Sequence, residues 1–153
     1  MENKPIKRDK NIQPLSRDHH HTLLLCWKIR KGFSKEVAPS RIKVYSNWFF
    51  ENHVLPHFKL EEEYLFPVLG QEHEMVKKAL AEHRRLERLF KDNKDISRSL
   101  SLIEEELELH IRYEERELFN EIQKQASPEQ LKIILEVHKD ELFQDNTEDE
   151  FWK

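Results

Sequence analysis

The chain has 153 residues, 37% of them charged, with only two glycines and a formal net charge of -4. That length suits one domain able to bury about 70% of its unfolded surface, and so little glycine argues against a turn-rich sheet protein. The near-balanced charge offers no footprint for nucleic acid, no apolar run approaches the roughly 18 residues of a membrane span, and a lone Cys26 leaves no intrachain disulfide, as expected in a reducing cytoplasm.

In chain order, residues 1–14 are polar, with four Lys/Arg and two prolines, and read as a loose N-terminal arm. A first helix is expected from Ser16, as N-cap, to Gly32. A second opens at Pro39 and runs to Phe66, before Pro67. A third covers Gln71 to Lys91, and a fourth Asp95 to Ala126. Ser127-Pro128 reads as N-cap and first position of a short fifth helix ending near Lys139. Residues 140–153 carry six acids against one lysine and are expected to fray, with Phe151 and Trp152 able to dock. The expected fold is all-α: an up-down-up-down four-helix bundle over residues 15–126, then a short C-terminal helix and acidic tail over 127–153. No secretory h-region opens the sequence, so the expected location is cytoplasmic.

One phrase occurs twice. His57-Phe58-Lys59-Leu60-Glu61 and His110-Ile111-Arg112-Tyr113-Glu114 each place a His and a Glu four residues apart, followed by Glu62 and Glu115. On a helix, positions i and i+4 lie about 40° apart. Each helix thus turns an imidazole and a carboxylate to one side, a pattern that on facing helices can hold a pair of transition metals. Periodicity selects two more histidines. Among His19, His20 and His21, His20 centres on Leu23, Leu24 and Trp27. His83 centres on Val76, Ala79, Leu80, Leu86 and Phe90. The expected metal ligands are His20, His57, Glu61, His83, His110 and Glu114. An isolated core histidine is more often a satisfied polar group; six ligand-type residues in a duplicated pattern point to metal.

The same geometry assigns the surroundings. His53, Glu87 and Glu106 fall at one depth, beyond the histidines, and read as an entry-side polar cluster able to set imidazole tautomers. Tyr64 and Glu117, seven residues after His57 and His110, return to the inner face. Glu62 and Glu115 are expected on the surface, and Pro56 should bend its helix from an outer position. Cys26 reads as a small buried hydrophobe.

The sequence resembles the hemerythrin-like, or HHE cation-binding, family over about residues 15–120. The resemblance is carried by Asp18-His19-His20 with Leu23, by His57-Phe58 with Glu61-Glu62 and Leu65-Phe66-Pro67, by Glu82-His83 with Leu86, and by His110 with Glu114-Glu115 and Leu118-Phe119. It implies a non-haem di-iron centre: two iron ions capped by histidines and bridged by two carboxylates. Two Fe(II) against two glutamates leave a surplus of positive charge, so an oxo, hydroxo or exogenous anion bridge is expected. Oxygen-carrying members add a histidine one turn before the ligand on the third helix, where this chain has Ala79. They also use His-x4-Asp on the fourth helix, where this chain has His-x3-Glu. The pattern is similar to the six-ligand bacterial type, including proteins linked to repair of iron centres. The implied small ligands are dioxygen, nitric oxide or peroxide, with a redox or iron-accepting protein as the possible macromolecular partner. The implied functions are response to those ligands, iron-centre repair or iron sensing. The alternatives are a metal-stapled helical interaction module and a di-iron redox enzyme. Ferritin-like Glu-x2-His spacing is absent.

Overall fold

The computed structural model describes residues 8–138 and 143–153. Among these residues the structure is helical, without strands. The first helix, α1, is Gln13–Ser34. The second is a continuous run built from α2 (Pro39–Phe49), a π-helical segment (Phe50–Val54), α3 (Leu55–Leu60), a second π segment (Glu61–Leu65) and a 3₁₀ turn (Phe66–Val68). The third is α4 (Glu74–Lys91). The fourth joins α5 (Ile96–Tyr113), a π segment (Glu114–Leu118) and α6 (Phe119–Gln125). A short α7 (Pro128–Val137) follows. Short links turn each long helix back on the last, and α5 lies between α1 and α4.

The helix starts follow local chemistry. Asp95 accepts a hydrogen bond from the Arg98 amide at 3.2 Å and caps α5. Ser127 and Gln130 form a reciprocal capping box on α7, with Pro128 in the first turn. His73 caps α4 by accepting from the Met75 amide, so that helix begins three residues later than Gln71.

Both ends of the chain are more ordered than composition suggests. Ile12 is fully buried and α1 starts at Gln13, without a side-chain cap. Arg8 donates to the Glu115 carboxylate and to Asn120 and Gln123. The expected loose arm is therefore docked from Arg8 onward; residues 1–7 lie outside the described region. The acidic tail also docks. Phe151 is 2% exposed and joins the core beside Gly32 and Ile42. Asp149 holds Arg41 through two bonds. Lys28 pairs with Asp145 and sits 4.0 Å over the Trp152 ring. Apolar burial and cation–π contact outweigh the entropy that favours fraying. The expected end of the fifth helix at Lys139 lies outside the described residues, as do residues 140–142 of the tail.

The apolar core is divided in two. One cluster contains Cys26, Ile29, Val54, Phe58, Leu86, Phe90, Leu107 and Ile111. The other contains Leu15, Leu65, Phe66, Val76, Ala79, Leu118 and Phe119. Each long helix also buries ligand-type residues, His19, then His57 and Glu61, then His83, then His110 and Glu114, and of these His19, Glu61, His83 and Glu114 fall between the two sets along their helices. Cys26 is buried and burial pushes its thiol up to about 12, consistent with an inert hydrophobe.

Candidate metal centre

Each helix brings one imidazole inward, and two of them add a carboxylate. His57 and Glu61 lie one turn apart, as do His110 and Glu114. Glu61 and Glu114 are both 0% exposed. Two burials of this kind are costly without a cation or a full set of donors.

The histidine from α1 is His19, not His20. His19 is 3% exposed, whereas His20 faces solvent. Leu24 and Trp27, which centre a sequence-based stripe on His20, are themselves 39% and 47% exposed. The buried stripe is Leu15, His19, Thr22, Cys26 and Ile29, with a spacing of three and four that centres on His19. The other five expected ligands, His57, Glu61, His83, His110 and Glu114, lie together with His19.

They form two groups that share both carboxylates: His19, His57, Glu61 and Glu114; and Glu61, His83, His110 and Glu114. Within each group the donor atoms lie within 4.8 Å of one another. Nε2 of His19 and Nε2 of His57 are 3.0 Å apart. Nε2 of His19 is 3.1 Å from Glu114 Oε1, and Nε2 of His57 is 3.3 Å from Glu61 Oε2. In the other group, His83 Nε2 is 3.3 Å from Glu61 Oε1 and His110 Nε2 is 3.2 Å from Glu114 Oε1. Donors on a single ion with bonds of about 2.1 Å stand about 3.0–3.4 Å apart, which is the range these five distances occupy.

The outer nitrogens fix the tautomers. Nδ1–H of His19 donates to Glu115 at 2.7 Å, of His57 to Asp18 at 3.1 Å, of His83 to Glu62 at 3.0 Å, and of His110 to Glu82 at 2.7 Å. With Nδ1 carrying the hydrogen, each neutral ring presents a bare lone pair at Nε2. Four such lone pairs converge on four carboxylate oxygens. The Nε2 atoms of His83 and His110 and all four oxygens of Glu61 and Glu114 have no hydrogen-bond partner. Two lone pairs facing each other at 3.0 Å, as in His19 and His57, repel unless a cation lies between them.

Electrostatics point the same way. Burial opposes charge on every one of these imidazoles, yet the carboxylates outweigh it. Glu114, with Glu82 behind it, pushes His110 up to about 10. Glu61 and Asp18 hold His57 well above its ordinary value, and His19 and His83 are also raised. Glu114 is held well below the usual carboxylate range by His110 and His19, against the effect of burial. The centre attracts positive charge, whether protons or metal.

The four outer carboxylates follow the sequence repeat. Asp18 and Glu82 each precede the lone histidine of their own helix and reach the His of the next helix. Glu62 and Glu115 each follow the paired Glu and reach His83 and His19. Glu62 and Glu115 are therefore partners of the ring nitrogens as well as surface groups. The expected polar cluster does not form. Glu87 pairs with Lys91, Glu106 pairs with Arg85, and His53 packs against Trp48, Phe49 and Phe143. Tyr64 and Glu117 face outward. A π segment begins at each buried glutamate, with the Phe66 amide donating to the Glu61 carbonyl and the Phe119 amide to Glu114. The wider turn advances the phase by one residue, so Leu65 and Leu118 take the inner positions instead. Pro56 is exposed, as expected, and another π segment precedes it.

The family model for the hemerythrin HHE cation-binding domain matches residues 11–93. The chain belongs to this family. No curated protein and no solved structure gave a match. The matched span includes His19, His57, Glu61 and His83 of this HHE domain; His110 and Glu114 lie beyond it and enter the cluster through the fold. The buried His/Glu set suits metal binding, and no helix among the described residues is long and apolar enough to cross a membrane.

Proposed function

We propose that the protein is a non-haem di-iron protein whose two irons are held by His19, His57, Glu61, His83, His110 and Glu114, and that it reacts with dioxygen, nitric oxide or peroxide. The observation that carries this reading is the convergence of four bare Nε2 lone pairs on two buried, otherwise unpartnered carboxylates. Imidazole with carboxylate suits iron, and Glu61 and Glu114 belong to both groups, so each could hold either ion. Bound there, a ferrous pair supplies two adjacent one-electron reductants with affinity for small diatomic ligands.

The chain's own residues bias that chemistry. Glu115, Asp18, Glu62 and Glu82 lock each ring in one tautomer and raise its basicity, favouring the more highly charged metal state. Phe58, Phe66, Leu65, Leu118 and Phe119 line the two sides with apolar surface and keep water sparse. Ala79 is fully buried one turn before His83 and cannot ligate, so the residues that would hold the metal are these six side chains, leaving room for an exogenous group.

The reduced protein, loaded anaerobically with two equivalents of Fe(II), is expected to bind nitric oxide and to be oxidised by dioxygen without holding it reversibly. Optical spectra through repeated evacuation test this. Ala79→His should alter the visible spectrum and slow oxidation. Reversible cycling of dioxygen by the wild type would instead favour oxygen carriage.

A further inference from the structure

The two halves of the buried cluster have matching ligands and unlike enclosures. His83 is covered by aromatic rings: Phe58 stacks on it with centroids 3.7 Å apart and planes 7° from parallel, and Phe66 lies at 5.5 Å. In the other half His19 stacks on Phe119 at 5.1 Å, but His57 and Asp18 stand in the wall of a cleft of about 430 Å³ between α1, the second long helix and the C-terminal segments.

The anchoring differs too. One oxygen of Asp18 serves two imidazoles, accepting from His57 at 3.1 Å and from His138 Nε2 at 2.8 Å. The anchors of His19, His83 and His110 lie at 2.7, 3.0 and 2.7 Å. His57 thus shares its anchoring oxygen with a second imidazole.

The cleft carries a second set of imidazoles. His21, His53 and His138 line it, and each keeps a buried ring nitrogen without a partner: Nδ1 of His21, Nε2 of His53 and Nδ1 of His138. Apart from Ser16, the remaining unpartnered buried side-chain atoms among the described residues are those of the metal cluster itself. Buried polar groups are ordinarily hydrogen-bonded and leaving one unpaired is unfavourable, so three beside one cleft point to a ligand. Phe143 stacks on His21 at 4.1 Å and lies against His53 at 4.7 Å. Packing holds these rings, and no hydrogen bond at those nitrogens has to break when a ring turns toward a cation. Burial keeps His53 below its ordinary pKa, so its lone pair is available at neutral pH.

We propose that this cleft is the route by which a divalent transition-metal ion enters and leaves, that His21, His53 and His138 pass it inward, and that the His19–His57 position exchanges metal while the His83–His110 position retains it. The inference rests on the two-metal reading above. Neutral imidazole nitrogens suit Fe(II), Co(II) and Zn(II), and the Asp18 carboxylate adds negative charge at the inner end of the path.

The test uses the full chain loaded anaerobically with Fe(II) and mixed with excess of a coloured ferrous chelator. Release is expected in two phases of about one equivalent each. His53→Ala should slow the fast phase severalfold and leave stoichiometry and visible spectrum unchanged. Asp18→Asn loosens His57 and should quicken the fast phase by about tenfold, the lower end of what loss of an outer partner does to metal affinity. Glu82→Gln should act on the slow phase alone. Loading of two equivalents with single-phase release, or effects of His53→Ala and Asp18→Asn that fall on the slow phase, would overturn the route and leave the two-metal reading standing. Loading well below two equivalents would overturn that reading, and the route with it.

Discussion

In the first helix pair, His57 and Glu61 sit on a helix broken by π segments on both sides, Phe50–Val54 and Glu61–Leu65, with Pro56 between them. In the second pair, His110 ends a regular stretch, α5, and a single π segment begins at Glu114. The feature common to both is a π segment starting at the buried glutamate, which ties the wider turn to the site. The extra segment belongs to the first pair alone. It precedes a proline that cannot donate to the Asn52 carbonyl, and it lies on the side where the cleft opens. On the proposed reading, the shared geometry goes with the ligand set and the unshared geometry with access to it.

The largest effect is expected at the shared carboxylates. Glu61→Ala or Glu114→Ala should cost metal at both positions, because each serves both groups. Glu62→Ala or Glu115→Ala removes only an outer anchor and should weaken binding at one position, by about 10–100-fold. Metal analysis across the four variants checks this; equal losses from all four would contradict the division between inner and outer carboxylates.

Next in size is the choice of histidine on α1. His19→Ala should lose metal from its own position, while His20→Ala should match the wild type in metal content. The reverse result would return the ligand role to His20 and contradict the placement of the buried stripe.

How far the site could be read from the sequence turns on the same helix. His57, Glu61, His83, His110 and Glu114 are legible because a helical phase set by apolar neighbours is right for three of the four helices. On α1 the phase was set by Leu24 and Trp27, large apolar residues that remain exposed; the stripe that packs is built partly from Thr22 and Cys26. A better signal was present. Asp18-His19 and Glu82-His83 are the same acid–His pair in the two repeats, and aligning them selects His19. The outer carboxylates were hidden because their partners lie on other helices, which no single-helix projection shows. Tyr64 and Glu117 leave the inner face because a constant 100° per residue does not describe a π turn. The four-helix order and Ser127 cap were legible from proline, glycine and cap residues. Docking of the acidic tail was not, since it depends on contacts between Asp145 and Lys28 and between Phe151 and Ile42 that are distant in sequence.

A smaller effect is expected on stability. Metal that binds only the folded state at a free concentration of one hundred times Kd adds about 2.7 kcal/mol, or roughly 5–10 °C in Tm for a chain of this size. Differential scanning calorimetry of loaded and chelator-stripped protein should show that gap. His19→Ala should retain part of it, because the other half of the centre survives.

The smallest effect belongs to the tail, away from both positions. Burial acts to raise the Asp145 pKa, but Lys28 and Tyr45 more than offset it and hold the carboxylate below its ordinary value of 3.8. A depressed folded-state pKa contributes stability that is present above 3.8 and lost as pH falls through the lower value. Trp152 fluorescence should therefore report tail release in acid below about pH 4, and Asp145→Asn should remove that transition while leaving metal content unchanged. An acid transition that persists in the variant would assign it to another group.

On the proposed reading, one buried layer holds two metal ions through His19, His57, Glu61, His83, His110 and Glu114. The most direct test is iron content per chain, measured on protein purified without added chelator and again after anaerobic reconstitution with excess Fe(II) and desalting. About two irons per chain are expected for the wild type, with near-complete loss in Glu61→Ala and Glu114→Ala and no change in His20→Ala. A wild type that saturates at one iron, or that binds none while folded, would contradict that reading.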